Sequence, residues 1–154
     1  MSKEKNKEKN KTCYQFVLEF KRKYPFTIAF RLKSHCKVIE NHLNPDEKVL
    51  YAFVGQKNAS PLEIFYTNVV ALTNKRLIVA TKRVLWGYFL VTVTPDMFND
   101  LTIRKGLFFG SAIIDTVREK VILSNLDPRA LPELETIMSE YMMEEKRKYI
   151  NESN

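Results

Sequence analysis

The chain has 154 residues, 45% of them hydrophobic and 28% charged, with a net charge of +7. That length suits one domain plus an extension, and that apolar content excludes global disorder. The charge is uneven, at +3 over residues 1–11, +4 over 12–43, +3 over 44–125 and −3 over 126–154, which favours anionic partners such as phospholipid headgroups or nucleic acid and equally serves solubility.

Residues 1–11 are almost all Lys, Glu and Asn and read as a disordered basic tail. With no apolar h-region behind them, no secretory leader is expected. Thr12 can cap a helix running to about Lys23, with Phe16, Val17 and Phe20 as its apolar stripe. Pro25 ends it, because the residue before proline avoids the α region. Thr27 reads as a second N-cap. Beyond it Leu32, Cys36, Ile39 and Leu43 recur at spacings of four and three, one face of an amphipathic helix with Arg31, Lys33, Lys37 and Glu40 largely outside it. Asn44-Pro45-Asp46 stops this helix, so residues 12–43 form a helical extension. Its two stripes need burial, by docking on the same chain or on a second copy.

The pattern then changes to β-branched and aromatic runs at 49–54, 64–73, 77–81, 86–94, 101–104, 107–115 and 121–123. Asn74-Lys75, Pro95-Asp96, Lys105-Gly106 and Arg118-Glu119-Lys120 punctuate them, and Gly110 suggests a bulge. Seven short strands at roughly ten-residue spacing predict an antiparallel meander closing into a barrel or sandwich. Asp127 then reads as an N-cap with Pro128 at the first helical position. Leu131, Leu134, Met138 and Tyr141 line one face of the last helix, with Glu133, Glu135 and Glu140 mostly on the other. Residues 144–154 read as a charged tail. The fold class is mainly β, α+β by content. No run reaches the ~18 apolar residues of a membrane span.

Two segments resemble the bacterial pleckstrin-homology (PH)-like family. Leu43-Asn44-Pro45-Asp46-Glu47-Lys48-Val49 is similar to its lead-in to the first strand. Ala71-Leu72-Thr73-Asn74-Lys75-Arg76-Leu77-Ile78-Val79 is similar to its Leu-Thr-Asn/Asp-x-Arg-Leu hairpin, also found in GRAM domains. The resemblance covers roughly residues 43–142. It implies a seven-stranded antiparallel barrel of two nearly orthogonal sheets over residues 44–143, plugged by the C-terminal helix. In eukaryotic PH domains a basic loop between the first two strands grips phosphoinositides. Here that loop, residues 56–63, holds one Lys and one Glu, which argues against tight inositol-phosphate binding.

Chemistry-bearing patterns are sparse. There is no P-loop, no G-x-G-x-x-G and no Ser-His-Asp pattern, and Asp46-Glu47 and Glu144-Glu145 are expected in a turn and a helix end rather than in apolar pockets. His35 and His42 share a face of the second helix and read as solvent-exposed, without ligands to complete a metal site. Cys13 and Cys36 form no C-x-x-C motif and are expected as free thiols in a reducing cytoplasm, Cys36 as core. No cofactor or metal and no catalysis are expected.

The candidate anion or partner patch is Lys75/Arg76, Lys82/Arg83 and Arg104/Lys105, provided turns at one end of the barrel bring two of the pairs together. Arg76 reads first as a structural tie to carbonyls or a carboxylate, with ligand contact as the alternative. Trp86, Tyr88, Phe108 and Phe109 are candidate interface aromatics, with core packing as the alternative. The leading expectation is a non-catalytic interaction module serving a protein partner or self-association, with weak attachment to an anionic phospholipid surface at the inner face of the membrane. Nucleic-acid binding through the basic N-terminal helices is the alternative, ranked lower because Phe16, Val17 and Phe20 look like packing residues.

Overall fold

The computed structural model describes residues 11–57 and 66–154. Helices α1 (Cys13–Lys23) and α2 (Leu32–His42) precede strands β1 (Val49–Gln56), β2 (Thr67–Thr73), β3 (Leu77–Lys82), β4 (Tyr88–Val93), β5 (Phe98–Lys105), β6 (Gly110–Thr116) and β7 (Lys120–Leu126). Helix α3 (Leu131–Ser153) follows, and short 3-10 turns occupy Pro95–Met97 and Pro128–Ala130. The expected tail at 1–11 and the expected beginning of the second strand at 64–65 lie outside the described residues, Lys11 apart.

All the strands are antiparallel to their neighbours, in the order β4-β3-β2-β1-β7-β6-β5. Where two sheets were expected, hydrogen bonds join all seven strands into one. A four-strand half and a three-strand half meet at a single paired position, Gln56 with Ser124. Gly110 lies at the expected irregularity: the β6–β7 register shifts there. A Cβ on Gly110 would fall 2.5 Å from Leu131 Cδ1, so glycine is what lets the beginning of α3 close onto the sheet.

Thr12 caps α1 as expected, in a full capping box. Its hydroxyl accepts from the Gln15 N–H at 3.2 Å, and the Gln15 side chain accepts from the Thr12 N–H at 2.9 Å. Thr27 does not cap α2. It is buried, and its hydroxyl instead accepts from the Asp127 N–H at 2.9 Å. The second helix begins four residues later than expected, after Arg31, whose φ of 54° is left-handed. Segment 27–31 is diverted because its polar groups find partners on the sheet rather than in a helical turn.

The apolar stripes of α1 and α2 are buried within the same chain. Val17, Phe20, Cys36 and Ile39 are 3% exposed or less, with α1 against β1 and α2 against β2 and β3. This explains why β2 is buried at every position and β3 at all but its last. One face of these strands meets the N-terminal helices, and the other meets the core shared with β7 and α3. Strands buried on both faces read as continuous apolar runs rather than alternating ones. Leu131, Leu134, Met138 and Tyr141 face this core, as their spacing predicts.

Helix α3 does not stop at residue 143. It continues through the expected charged tail to Ser153, burying Met142 and Glu145 on the way. That segment is rich in strong helix formers and contains no Gly or Pro to end it, and Lys148 pairs with Glu145 at 3.2 Å.

Since Ile39 is fully buried, Ile39→Ala is expected to cost about 2–5 kcal/mol. Leu50→Ala, on the exposed face of β1, is expected to stay within about 0.5 kcal/mol. Urea midpoints at constant m-value measure both.

Candidate functional site

Four of the candidate cations, Lys75, Arg76, Arg104 and Lys105, are tied into the frame or stand apart from the others. For Arg76 the reason is Glu47. Its side chain is fully buried and paired with Arg76, Nε to Oε1 at 2.9 Å and one terminal nitrogen to Oε2 at 3.0 Å. The same terminal nitrogen donates to the His42 carbonyl at 2.9 Å. The Thr73 hydroxyl donates to Glu47 at 2.7 Å and the Asn44 N–H at 3.1 Å. Burial alone would raise the Glu47 pKa, but the bonds from Arg76, Thr73 and Asn44 outweigh it and hold the carboxyl below its ordinary value. Glu47 and Glu145 are thus both buried where turn and helix-end exposure was expected. Arg76 is a structural tie, the first of its two readings. Lys75 bridges exposed Asp46 at 2.8 Å, and the Asn74 side chain accepts from the Lys48 N–H at 2.8 Å. The two sequence segments that carry the family resemblance are therefore one interlocked unit.

The candidate pairs do not gather. Lys75/Arg76 and Lys82/Arg83 lie at opposite ends of β3, roughly 20 Å apart at the rise of a strand. Arg104 and Lys105 end β5, at the opposite margin of the sheet from β4. The aromatics divide as well. Tyr88 donates to or accepts from His42 Nε2 at 2.9 Å, with the two rings edge-on at 4.9 Å. Phe109 is half-buried, whereas Phe108 and Leu107 are exposed on the β5–β6 turn.

One end of β3 does assemble a surface. The five-residue hairpin 83–87 closes through the Arg83 N–H to the Gly87 carbonyl at 3.1 Å, with Gly87 at φ +79°, a conformation glycine adopts freely. The turn holds Val84, Leu85 and Trp86 at 59%, 80% and 74% exposure. Beside it, Arg83 and Lys57 flank the Phe89 ring at 4.2 and 4.3 Å from its centroid. With Tyr66 these side chains line an open cleft of about 500 Å³. Sequence reasoning named Lys82, Arg83 and Trp86. It missed Val84 and Leu85, which fall between the expected third and fourth strands, and Lys57, Tyr66 and Phe89, which only folding brings alongside. The expected ligand loop at 56–63 lies, after Lys57, outside the described residues.

Below this turn sits His35, which the sequence places at the surface and the structure buries completely. Its Nδ1 accepts the Lys82 N–H at 2.7 Å, and its Nε2 has no hydrogen-bond partner among the described residues. Helix α2 thus closes the end of the β2–β3 ladder. Burial, reinforced by the Arg31 charge, lowers the His35 pKa from 6.5 to about 4. The Cys13 thiol is pushed up by its hydrogen bond with Cys36 and by burial, the reverse of an activated nucleophile. Among the described residues no group of three or more His, Cys, Asp or Glu is placed to hold a metal ion.

Two predictions follow from these contacts. Arg76→Ala leaves Glu47 buried without its counter-charge and is expected to cost about 3–5 kcal/mol by urea titration at pH 7. Because the folded state depresses the His35 pKa, its contribution is complete above pH 6.5 and is lost as pH falls toward 4. On the order of 3 kcal/mol is expected to disappear across that window. In His35→Leu the step is absent, and stability at pH 7 is already lower because the Lys82 N–H has lost its acceptor.

Comparison with known proteins agrees with this geometry. No curated protein and no solved structure matches the chain, and among the described residues no helix is long and apolar enough to cross a membrane. The sequence profile described as bacterial PH domain matches residues 43–140, from the residue before Asn44 of the Glu47 clamp to the residue before Tyr141 of the closing helix. With well over half of its length matched and seven antiparallel strands followed by a helix, the chain belongs to the bacterial PH domain family.

Proposed function

We propose that this protein is a non-catalytic binding module that docks on an anionic bilayer surface through the β3–β4 turn. The carrying observation is the exposed Val84-Leu85-Trp86 tip with Arg83 and Lys57 beside it. Burying such side chains in a bilayer interface contributes roughly 1.5–3 kcal/mol each, and each nearby cation adds about 1 kcal/mol toward anionic lipid. Tryptophan with basic neighbours suits the headgroup layer, where one part of the surface is apolar and the other wet. A protruding tip suits a bilayer better than a protein pocket, which takes its aromatic anchors into a concave site.

The other readings have less behind them. Self-association was motivated by the apolar stripes of α1 and α2, and these are buried on the sheet of the same chain. Nucleic-acid binding needs stacking aromatics on the basic helices, but Phe20 is buried and Phe16 is half-buried. A protein partner retains one specific support: β5 is an outer strand of the sheet, mostly exposed and paired, among the described residues, with β6 alone, an arrangement open to strand addition.

Trp86 is the single tryptophan of the chain, so its fluorescence reports on the turn directly. Mixed with vesicles of phosphatidylglycerol and phosphatidylcholine, the protein is expected to show a blue shift that neutral vesicles do not produce and that added salt weakens. Leu85→Ser and Trp86→Ser are each expected to reduce sedimentation with the anionic vesicles at least about tenfold, given the apolar area each removes. Equal partition onto both vesicle types, or none onto either, refutes the reading.

A further inference from the structure

The segment between the two N-terminal helices lies outside the residues matched by the family, and the docking reading does not use it. It is nonetheless laid along the same rim of the sheet as the β3–β4 turn. The Phe26 N–H reaches Asp127 Oδ2 at 3.4 Å, and the Ile28 N–H donates to the Asn125 carbonyl at 2.9 Å, where β7 ends. The Phe30 N–H then donates to the Thr67 hydroxyl at 2.9 Å, where β2 begins and next to Tyr66 of the cleft. Arg31 completes the run, its guanidinium donating to the Lys82 and Arg83 carbonyls at 3.3 and 3.4 Å. Residues 26–31 are thus strapped to the ends of β7, β2 and β3 in turn, and the last link is the base of the turn that bears Trp86.

Most of the strap's polar groups point to the sheet, yet two of its largest apolar side chains remain outside. Phe26 is 67% exposed and Phe30 48%, although Thr27 and Ala29 between them are buried. Cations accompany both. Arg129 lies over the Phe26 ring at 5.1 Å, and Arg31 follows Phe30. Arg129 also pairs with Asp127 at 2.7 Å, and the Arg31 guanidinium is held by carbonyls at the base of the turn; the rim therefore resembles the turn in setting exposed apolar side chains on a stretch of chain that also carries arginines. A short loop alone gives a small footprint. Two elements with matching chemistry on one rim orient a domain as well as hold it.

We infer that the docking surface is composite, and that the interhelix strap places Phe26 and Phe30 in the same anionic bilayer interface as Leu85 and Trp86. This rests on the membrane reading above and adds to it a contact made by residues outside the family's domain. The strap then has two roles, covering the end of the sheet with its backbone and facing lipid with its phenylalanines. Since both rings are exposed, they can be removed without opening the core.

The test uses the full chain and vesicles of phosphatidylglycerol and phosphatidylcholine. The double variant F26S/F30S is expected to keep the wild-type melting temperature and to sediment with the anionic vesicles at least fivefold less well. A second variant, F30W in a W86F background, moves the only indole onto the strap. It is expected to blue-shift with the vesicles and to be quenched by brominated lipid. Wild-type partition by F26S/F30S, with W86S impaired, overturns the inference while leaving the membrane reading intact. So does a bound F30W/W86F protein whose fluorescence is unquenched. A wild-type chain that binds neither vesicle, or whose rim instead forms a Phe30-dependent dimer in sedimentation velocity, overturns both.

Discussion

The fold depends on one buried ion pair. A carboxylate as enclosed as that of Glu47 is tolerable only with its counter-charge and hydrogen bonds in place, and here the partners come from separate parts of the chain. Arg76 and Thr73 belong to the β2–β3 hairpin and Asn44 to the lead-in to β1, and through Arg76 the cluster reaches the His42 carbonyl at the end of α2 and the Thr92 hydroxyl on β4 at 3.4 Å. The Tyr141 hydroxyl adds α3 by donating to the Thr73 carbonyl. An apolar pair of the same size could match this cluster in stability, but it would not require these particular elements to meet in one arrangement. Glu47 and Arg76 lie in the two segments by which the chain resembles its family, so those segments carry the requirement for a single geometry.

The second constraint is the two-sided burial of β2 and β3. A sheet that needs cover on both faces cannot be completed by the matched family residues alone, because α1 and α2 supply the outer layer. Three side chains fasten that layer to the closing helix: Lys23 pairs with Glu133, which also accepts the Tyr51 hydroxyl at 3.1 Å. The boundary drawn by family resemblance and the boundary drawn by packing therefore differ, and the helical extension belongs to the physical domain.

Much of this was legible in the residues. The strand rhythm, the cap at Thr12, the irregularity at Gly110 and the inward face of α3 all follow from local chemistry, which acts within a few residues of its cause. Two of the errors have the opposite property. Thr27 failed as a cap because its partner is Asp127. His35 was placed at the surface because helical spacing alone cannot show that the end of β3 lies against it. Residues 144–154 were read as a tail because they carry almost no buried face beyond Glu145, although their helix-forming residues continue α3 to Ser153. Of the candidate site, the apolar tip at Trp86 was visible as bulk beside a turn, and the Arg76 tie was visible as a motif. The pairing of Lys57 and Arg83 across Phe89 was not, since it joins three strands.

The strap also sets a timetable. Thr27 holds Asp127 across 100 residues of sequence, so the bonds that seat the interhelix segment join parts of the chain that are made well apart in time. At synthesis rates of about 5–20 residues per second, the strap waits on the order of 5–20 seconds before its partners at the end of β7 exist. The apolar stripes of α1 and α2 meet β1, β2 and β3 well before then, so it is the strap between them that stays unseated. Assembly of this domain is therefore completed only when β7 and Asp127 have been made, and the contacts of the strap are among the last of the N-terminal region to form.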